Sequence, residues 1–326
     1  MKIIITGATG SLGAALTRYF AKNGHEVIAT GQVPTPPANL LKYAQYLQTD
    51  IRKEYDLPGA NLCIHTAALS DDKAAREDLN IANINGTINT LKAASECPVF
   101  IHISSSSVYL PSDTPLKEEI AGYQNNNQLS PYGYSKLKAE EALIKTCKHP
   151  SCFVLRPRAH YGPGDKMILP RILKLVKKDI INRPGKMEVN VSMTHYDNII
   201  HAIECCIASK KQGINIYNVA DDQEYLFINV IRKLTEALYN NPLPEKQVPI
   251  ALLKLMAVFK INGVTSLLVR SFTKDMALDV SKIKQELNYQ PKRNFYEALP
   301  ELKEWVDKAG GVERLKTGEK ILAWVE

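Results

Sequence analysis

Between Ile3 and Arg156 the chain alternates two hydrophobic periods, and this alternation limits its fold more than any other feature. Short apolar, β-branched runs appear at Ile3–Thr6, Val27–Thr30, Leu62–Thr66, Phe100–Ser104 and Phe153–Arg156. Helix-period stretches lie among them at Leu12–Lys22, Ile84–Ala94 and Tyr132–Lys145. Strands that are apolar on both faces and alternate with helices belong in a parallel sheet covered on both sides. Beyond Gly162-Pro163-Gly164 the pattern predicts a helix over Ile168–Lys178, a turn at Pro184-Gly185 and a strand over Met187–Met193. A helix over Tyr196–Ala208 and a strand over Ile214–Val219 follow. The remainder reads as mostly helical, with turns at Pro242, Pro244, Pro249, Pro291 and Pro300. The expected fold is α/β, a Rossmann-type doubly wound parallel sheet with a smaller, mostly helical C-terminal substrate lobe. Residues 1–165 would form the sheet domain, with a return segment at about 192–220, and 166–326 mainly the lobe.

Composition removes several function classes. With 326 residues, 45% of them hydrophobic, the chain can bury a large core. The 41 basic against 34 acidic residues give a formal net charge of +7. The positive side chains are spread out, in short clusters such as Lys174–Lys177–Lys178 and Lys210–Lys211. That spacing describes solvated helix faces rather than a nucleic-acid surface. The cysteines Cys63, Cys97, Cys147, Cys152, Cys205 and Cys206 form no CxxC pair and no zinc-type cluster, so no metal site is expected. No apolar run is long enough to span a membrane. A reduced, cytoplasmic protein acting on a small molecule fits these bounds.

The first strand runs directly into Gly7-Ala8-Thr9-Gly10-Ser11-Leu12-Gly13 and then a helix. Glycines at this spacing make a tight turn and let backbone N–H groups approach a pyrophosphate without a Cβ in the way. The helix N-terminus adds unpaired donors and partial positive charge. On the first strand of an alternating βα chain, this turn signals dinucleotide binding. The second strand ends in Gly31-Gln32, with no carboxylate for an adenosine 2′-hydroxyl and no arginine beside it. The missing carboxylate favours NADP over NAD. Asp50 is a candidate partner for the adenine amino group, or else the N-cap of a following helix.

Tyr132 and Lys136 open another helix behind Pro131 and emerge one turn apart on one face. A tyrosine ordinarily ionises near pH 10, and a neighbouring ammonium lowers that value toward the range of proton transfer. Tyr134 and Lys138 repeat the spacing about 200° further round. A serine run, Ser104–Ser107, follows the Phe100 strand, where its hydroxyls can reach a substrate carbonyl.

Taken together, TGATGSLG, DIRK from Asp50, HTAA from His65, NINGTINTLKAA from Asn83, ISSSSVY, PYGYSKLKAE, LRPRAHYGPGD from Leu155, THYDNIIHAI and YNVADD resemble the extended short-chain dehydrogenase/reductases. That superfamily includes the NAD-dependent epimerases and dehydratases. The resemblance implies Tyr132 as general acid/base and Lys136 as the residue that lowers its pKa and holds the nicotinamide ribose. Ser105 would hydrogen-bond the reacting oxygen. Gly7, Thr9, Gly10, Ser11, Leu12, Gly13, Gly31, Asp50, Ile51, Ala67, Asn83, Lys136 and Pro157 would line the cofactor. Relatives often pair as homodimers through helices equivalent to Asn83–Ala94 and Tyr132–Lys145.

Two departures bear on the substrate. Many sugar-nucleotide enzymes of this superfamily carry an asparagine where this chain has Ala159, and a phosphate-clamping arginine where it has Val191. Losing both disfavours an anionic diphosphate. The stretch from Phe272, FTKDMALDVSKIKQELNYQPKRNFYEAL, resembles the 3β-hydroxysteroid dehydrogenase-like branch, which includes reductases of long-chain 2-alkyl-3-oxo acids. An oxidoreductase acting on a hydrophobic sterol-like or 3-oxo substrate is the expected function. A nucleotide-sugar epimerase or dehydratase is the alternative, and a non-catalytic dinucleotide-binding subunit a third. His160 and His195 are assigned no catalytic role. The apolar segments Ile250–Phe259 and Val264–Val269 are expected to be core helices of the lobe, with a lid or peripheral membrane contact as the functional alternative.

Overall fold

The computed structural model describes residues 1–71, 74–121, 126–259, 266–317 and 319–325. In chain order the elements are β1 (Lys2–Thr6), α1 (Ser11–Lys22), β2 (Glu26–Gly31), β3 (Gln45–Gln48), β4 (Leu62–His65), α2 (Arg76–Asn80), α3 (Gly86–Ala93), β5 (Val99–Ile103), α4 (Pro131–Thr146), β6 (Ser151–Pro157) and β7 (His160–Tyr161). There follow α5 (Ile168–Leu173), β8 (Val176–Lys177), β9 (Ile180–Pro184), β10 (Asn190–Val191), β11 (Thr194–His195), α6 (Tyr196–Ser209), β12 (Gly213–Val219), β13 (Tyr225–Leu226) and α7 (Phe227–Tyr239). The last are β14 (Glu245–Val248), α8 (Ile250–Val258), α9 (Ser266–Ser271), α10 (Ser281–Leu287), α11 (Phe295–Lys308) and α12 (Val312–Thr317).

Seven parallel strands form the central sheet in the order β12-β6-β5-β4-β1-β2-β3. Successive residues of β1 explain the two covered faces. Ile3 and Ile5 pack with Leu16, Phe20 and Ile199 on one side, and Ile4 packs with Leu91, Leu143 and Phe100 on the other. The strand order reverses between β1 and β4, which opens a crevice at their carboxyl ends. A second core joins Leu169, Ile172, Ile231, Leu234, Leu302 and Trp305 in the later part of the chain. Ile283 of α10 and Trp324 return to the first core.

Several sequence expectations need correction. The helix expected over Ile168–Lys178 ends at Leu173. The chain turns at Lys178 and Asp179, both with positive φ, to pair β8 with β9. Such a two-residue turn matches the twist of an antiparallel hairpin and cannot lie within a helix. The strand expected over Met187–Met193 shrinks to β10, because Met187 has φ +54°. The C-terminal lobe is therefore not only helical: β14, β9 and β8 form a three-stranded sheet within it. The segment read as a core helix at Ile250–Phe259 forms α8 but has no buried residue. Leu252, Leu255, Val258 and Phe259 are all exposed. Part of the companion segment, 264–265, lies outside the described residues. No described helix is long and apolar enough to cross a membrane.

Candidate active site

The glycine-rich turn is built by close backbone approach. Gly7 has φ +71°, and a Cβ there would lie 2.7 Å from the Ala67 Cα. A Cβ on Gly13 would lie 2.3 Å from the Gly7 carbonyl oxygen. The turn closes through a Gly10 N–H bond to that same carbonyl, at 2.9 Å. Only glycine permits both contacts, and together they leave the N-terminus of α1 open at the crevice. Trp324 donates from Nε1 to the Ala8 carbonyl at 3.1 Å and buries its ring beneath the turn. These glycines form the cradle a pyrophosphate requires, so the residues present fit a dinucleotide.

At the adenosine end, Gly31 packs against Thr9 and Tyr46. Gln32 donates to the Asp50 carboxylate at 3.4 Å, and Arg52 grips that carboxylate through Nε and Nη2 at 2.7–3.1 Å. The arginine holds the Asp50 carboxyl below its ordinary range. Asp50 caps no helix. It accepts the Arg52 N–H in a two-residue turn, which corrects the N-cap alternative. Arg52 also places a cation beside Asp50 and so near Gln32, where the strand sequence offered none. Ile51 packs its side chain beneath Gly86 and accepts from Asn89 at 2.9 Å.

At the opposite end, α4 begins with Pro131 in its first turn and Ser130 as N-cap, accepting from Gly133 N at 2.9 Å. Gly133 lets this turn sit against the serine loop: a Cβ there would lie 2.2 Å from the Ser107 carbonyl oxygen. Tyr132 is therefore carried beside the loop and is half-buried. Ser105 caps the short turn Ser106–Val108, accepting from Ser107 N at 3.1 Å. Lys136 is buried and donates from Nζ to the Ile103 carbonyl at 2.8 Å, with His102 Nε2 at 3.5 Å. Burial pushes its pKa down to about 8 against the opposing pull of Glu140. Tyr134 faces away and stacks under Arg76, with the guanidinium carbon 4.1 Å from the ring centroid. Lys138 pairs with Glu141. The two tyrosine–lysine pairs thus occupy different sides of α4.

Asn83 lies in a π-turn, Ile81–Asn85, of the kind that often marks functional sites. It accepts from Leu69 N at 2.8 Å and donates to the Leu69 carbonyl at 3.0 Å and to Ser135 Oγ at 2.8 Å. Asn83 thereby ties the loop after β4 to α4. Pro157 ends β6 beside Val219 of β12. Gly7, Gly31, Ala67 and Pro157 thus lie at or just after the carboxyl ends of β1, β2, β4 and β6, while Asn83 and Lys136 stand on helical segments.

Residues 3–220 match the NAD dependent epimerase/dehydratase family. The chain belongs to that family. Within it the chain is an extended short-chain dehydrogenase/reductase, a nicotinamide-dependent enzyme. It is 28% identical over 313 residues to UDP-glucose 4-epimerase of Vibrio cholerae, covering 91% of this chain and 93% of that one. It is 26% identical over 209 residues to 2-alkyl-3-oxoalkanoate reductase of Stenotrophomonas maltophilia, covering 61% and 62%. UDP-glucuronic acid 4-epimerase from Bacillus cereus, solved with NAD, shares the fold at TM-score 0.74 and 22% identity, covering 94% of this chain and 99% of that one.

The site has a polar underlayer that its sequence motifs do not announce. Glu140 and Arg156 are fully buried and joined twice, Nε–Oε1 at 3.0 Å and Nη2–Oε2 at 2.6 Å. Ser104 donates to the same carboxylate, and Arg156 also donates to Tyr109 Oη at 2.8 Å. His65 and His102 stack at 5.3 Å behind Lys136. Burial, and next the lysine charge, push His65 down to about 3 and His102 well below its usual value, so both are neutral imidazoles. The one sequence hint was spacing: Glu140 follows Lys136 by four residues, one helical turn.

Proposed function

We propose that the chain is an NAD(P)-dependent oxidoreductase interconverting a secondary alcohol and a ketone on a hydrophobic substrate, sterol-like or a long-chain 3-oxo compound. The observation that carries this reading is the fate of the clamp position. Val191 is 3% exposed and packed in the lobe's apolar core, with Tyr225 and Met276 as its strand partners, so no cation stands there. Ala159 offers a methyl group at φ +42° where an amide would meet a sugar. The partial likeness to a 2-alkyl-3-oxoalkanoate reductase supports the same substrate class.

In this reading the glycine turn, Gly31, Asp50, Ile51, Ala67, Asn83 and Pro157 hold the dinucleotide along the crevice. Bound there, a nicotinamide would supply or accept the hydride. Tyr132 passes a proton to or from the substrate oxygen, and Ser105 donates a hydrogen bond to that oxygen. Lys136 lowers the tyrosine pKa by its charge and holds the nicotinamide ribose. The absent 2′-hydroxyl acceptor and the nearby Arg52 support NADP over NAD. Residues 1–165 with 192–220 serve as the nucleotide-binding unit, and a homodimer through α3 and α4 is the proposed assembly.

The broad coverage of UDP-glucose 4-epimerase favours a second reading, sugar-nucleotide epimerisation at the same tyrosine. Denaturing the purified protein and identifying any released nucleotide separates the two. An empty protein that binds NADPH more tightly than NADH and reduces 3-oxo substrates supports the reductase. Stoichiometric trapped NAD together with interconversion of UDP-sugars would overturn it.

A further inference from the structure

Two buried polar atoms outside the expected site have no hydrogen-bond partner among the described residues, and they belong to rings in contact. Tyr196, the first residue of α6, is 2% exposed, and its Oη is unsatisfied. His160, on β7, buries an unsatisfied Nδ1. Their ring centroids lie 5.8 Å apart.

The neighbours of this pair are informative. The Tyr196 ring lies against Gly162, where a Cβ would come within 2.4 Å of Cδ2. Ser11, Arg18 and Asp165 are the polar groups acting on its hydroxyl. Ser11 is the first residue of α1, directly after Gly10 of the glycine turn, and it also accepts from Lys166 N at 3.3 Å. His160 feels the charge of Lys136 at the other end of the crevice, and burial with that charge pushes its pKa down to about 4. It is therefore neutral at pH 7 and able to donate from Nδ1. The pair thus spans the path from the phosphate-cradling turn to the lysine.

An unsatisfied buried donor costs stability unless a ligand atom completes it. We propose that Tyr196 and His160 form a second wall of the dinucleotide site, with Tyr196 Oη donating to the pyrophosphate and His160 Nδ1 to an oxygen on its nicotinamide side. Both residues come from segments that follow β6, one on β7 and one at the start of α6. Cofactor binding would therefore tie β7 and α6 to the glycine turn without any contribution from substrate.

The inference rests on a dinucleotide occupying the crevice, and its test keeps the two questions apart. Tyr196→Phe and His160→Leu are compared with the wild-type chain by calorimetric titration of NADH, NADPH and adenosine, and by thermal unfolding without nucleotide. Each variant should weaken its preferred dinucleotide by about tenfold, the loss expected for one bond to a charged acceptor. Adenosine, which lacks both acceptors, should bind as to the wild type. Nucleotide-free unfolding temperatures should stay level or rise by about 1–2 °C, because an orphaned donor is removed. Unchanged dinucleotide affinity, an equal loss for adenosine, or a lower unfolding temperature would each overturn the proposal by assigning the rings to packing alone. A wild-type chain that binds neither dinucleotide would overturn the site itself, and this wall with it.

Discussion

Lys136→Met should stabilise the nucleotide-free protein while removing its activity. The side chain is 2% exposed, and burial lowers its pKa from 10.5 to about 8. Holding the ammonium in that environment therefore costs about 3 kcal/mol at neutral pH. Methionine keeps most of the stem's volume, so packing changes little. The Ile103 carbonyl loses its donor, which returns about 1 kcal/mol of the gain. The net expectation is about 2 kcal/mol of added stability. For 326 residues the unfolding entropy is roughly 0.7 kcal/mol per kelvin, so the melting temperature should rise by about 3 °C.

The pH dependence carries its own sign. The unfolded lysine keeps its proton up to 10.5 and the folded one only to about 8. Unfolding therefore takes up a proton between these values, and raising the pH across that window stabilises the wild type. The variant lacks this contribution, so its advantage at pH 7 should disappear by about pH 10.5. Urea unfolding at several pH values, with turnover measured in parallel, tests both parts. A variant less stable than wild type at pH 7, or a gap that does not change with pH, would refute the reasoning.

Other expectations follow from single contacts. Gly133→Ala forces a methyl group to 2.2 Å from the Ser107 carbonyl, so α4 and the serine loop must part. Turnover should fall at least about tenfold while dinucleotide affinity changes little, as steady-state kinetics beside titration would show. Glu140→Ala strands the buried Arg156 guanidinium and should cost about 3–5 kcal/mol in chemical denaturation; a loss below about 1 kcal/mol would contradict the buried pair. Ala159→Asn places a residue tolerant of left-handed backbone at φ +42° and should raise stability by about 0.5–1 kcal/mol, visible as a higher urea midpoint.

Six of the seven sheet strands were legible because their apolar runs are continuous and glycine marks the turn after β1; the edge strand β3, Gln45–Gln48, is polar and mostly exposed and was not read. The lobe was harder to read for the opposite reason. Its strands are two to five residues long and polar on one side, as in Glu245–Val248, and its turns rely on Lys178 and Asp179 rather than on glycine. α8 shows a different limit: apolar composition was read as burial, yet the helix exposes Leu255 and Val258. At the site, motifs located the glycine turn and the Tyr132/Lys136 helix. The Glu140–Arg156 pair joins α4 to β6 and the His65–His102 stack joins β4 to β5, contacts that no local spacing encodes.

The most direct test of the central claim is a comparison of Tyr132→Phe and Tyr134→Phe, measuring NAD(P)H binding and single-turnover reduction of a 3-oxo substrate. The account predicts that Tyr132→Phe binds nucleotide like the wild type and loses turnover by about 10²-fold or more, while Tyr134→Phe is unaffected. Full turnover in Tyr132→Phe, with the loss appearing in Tyr134→Phe, would contradict it.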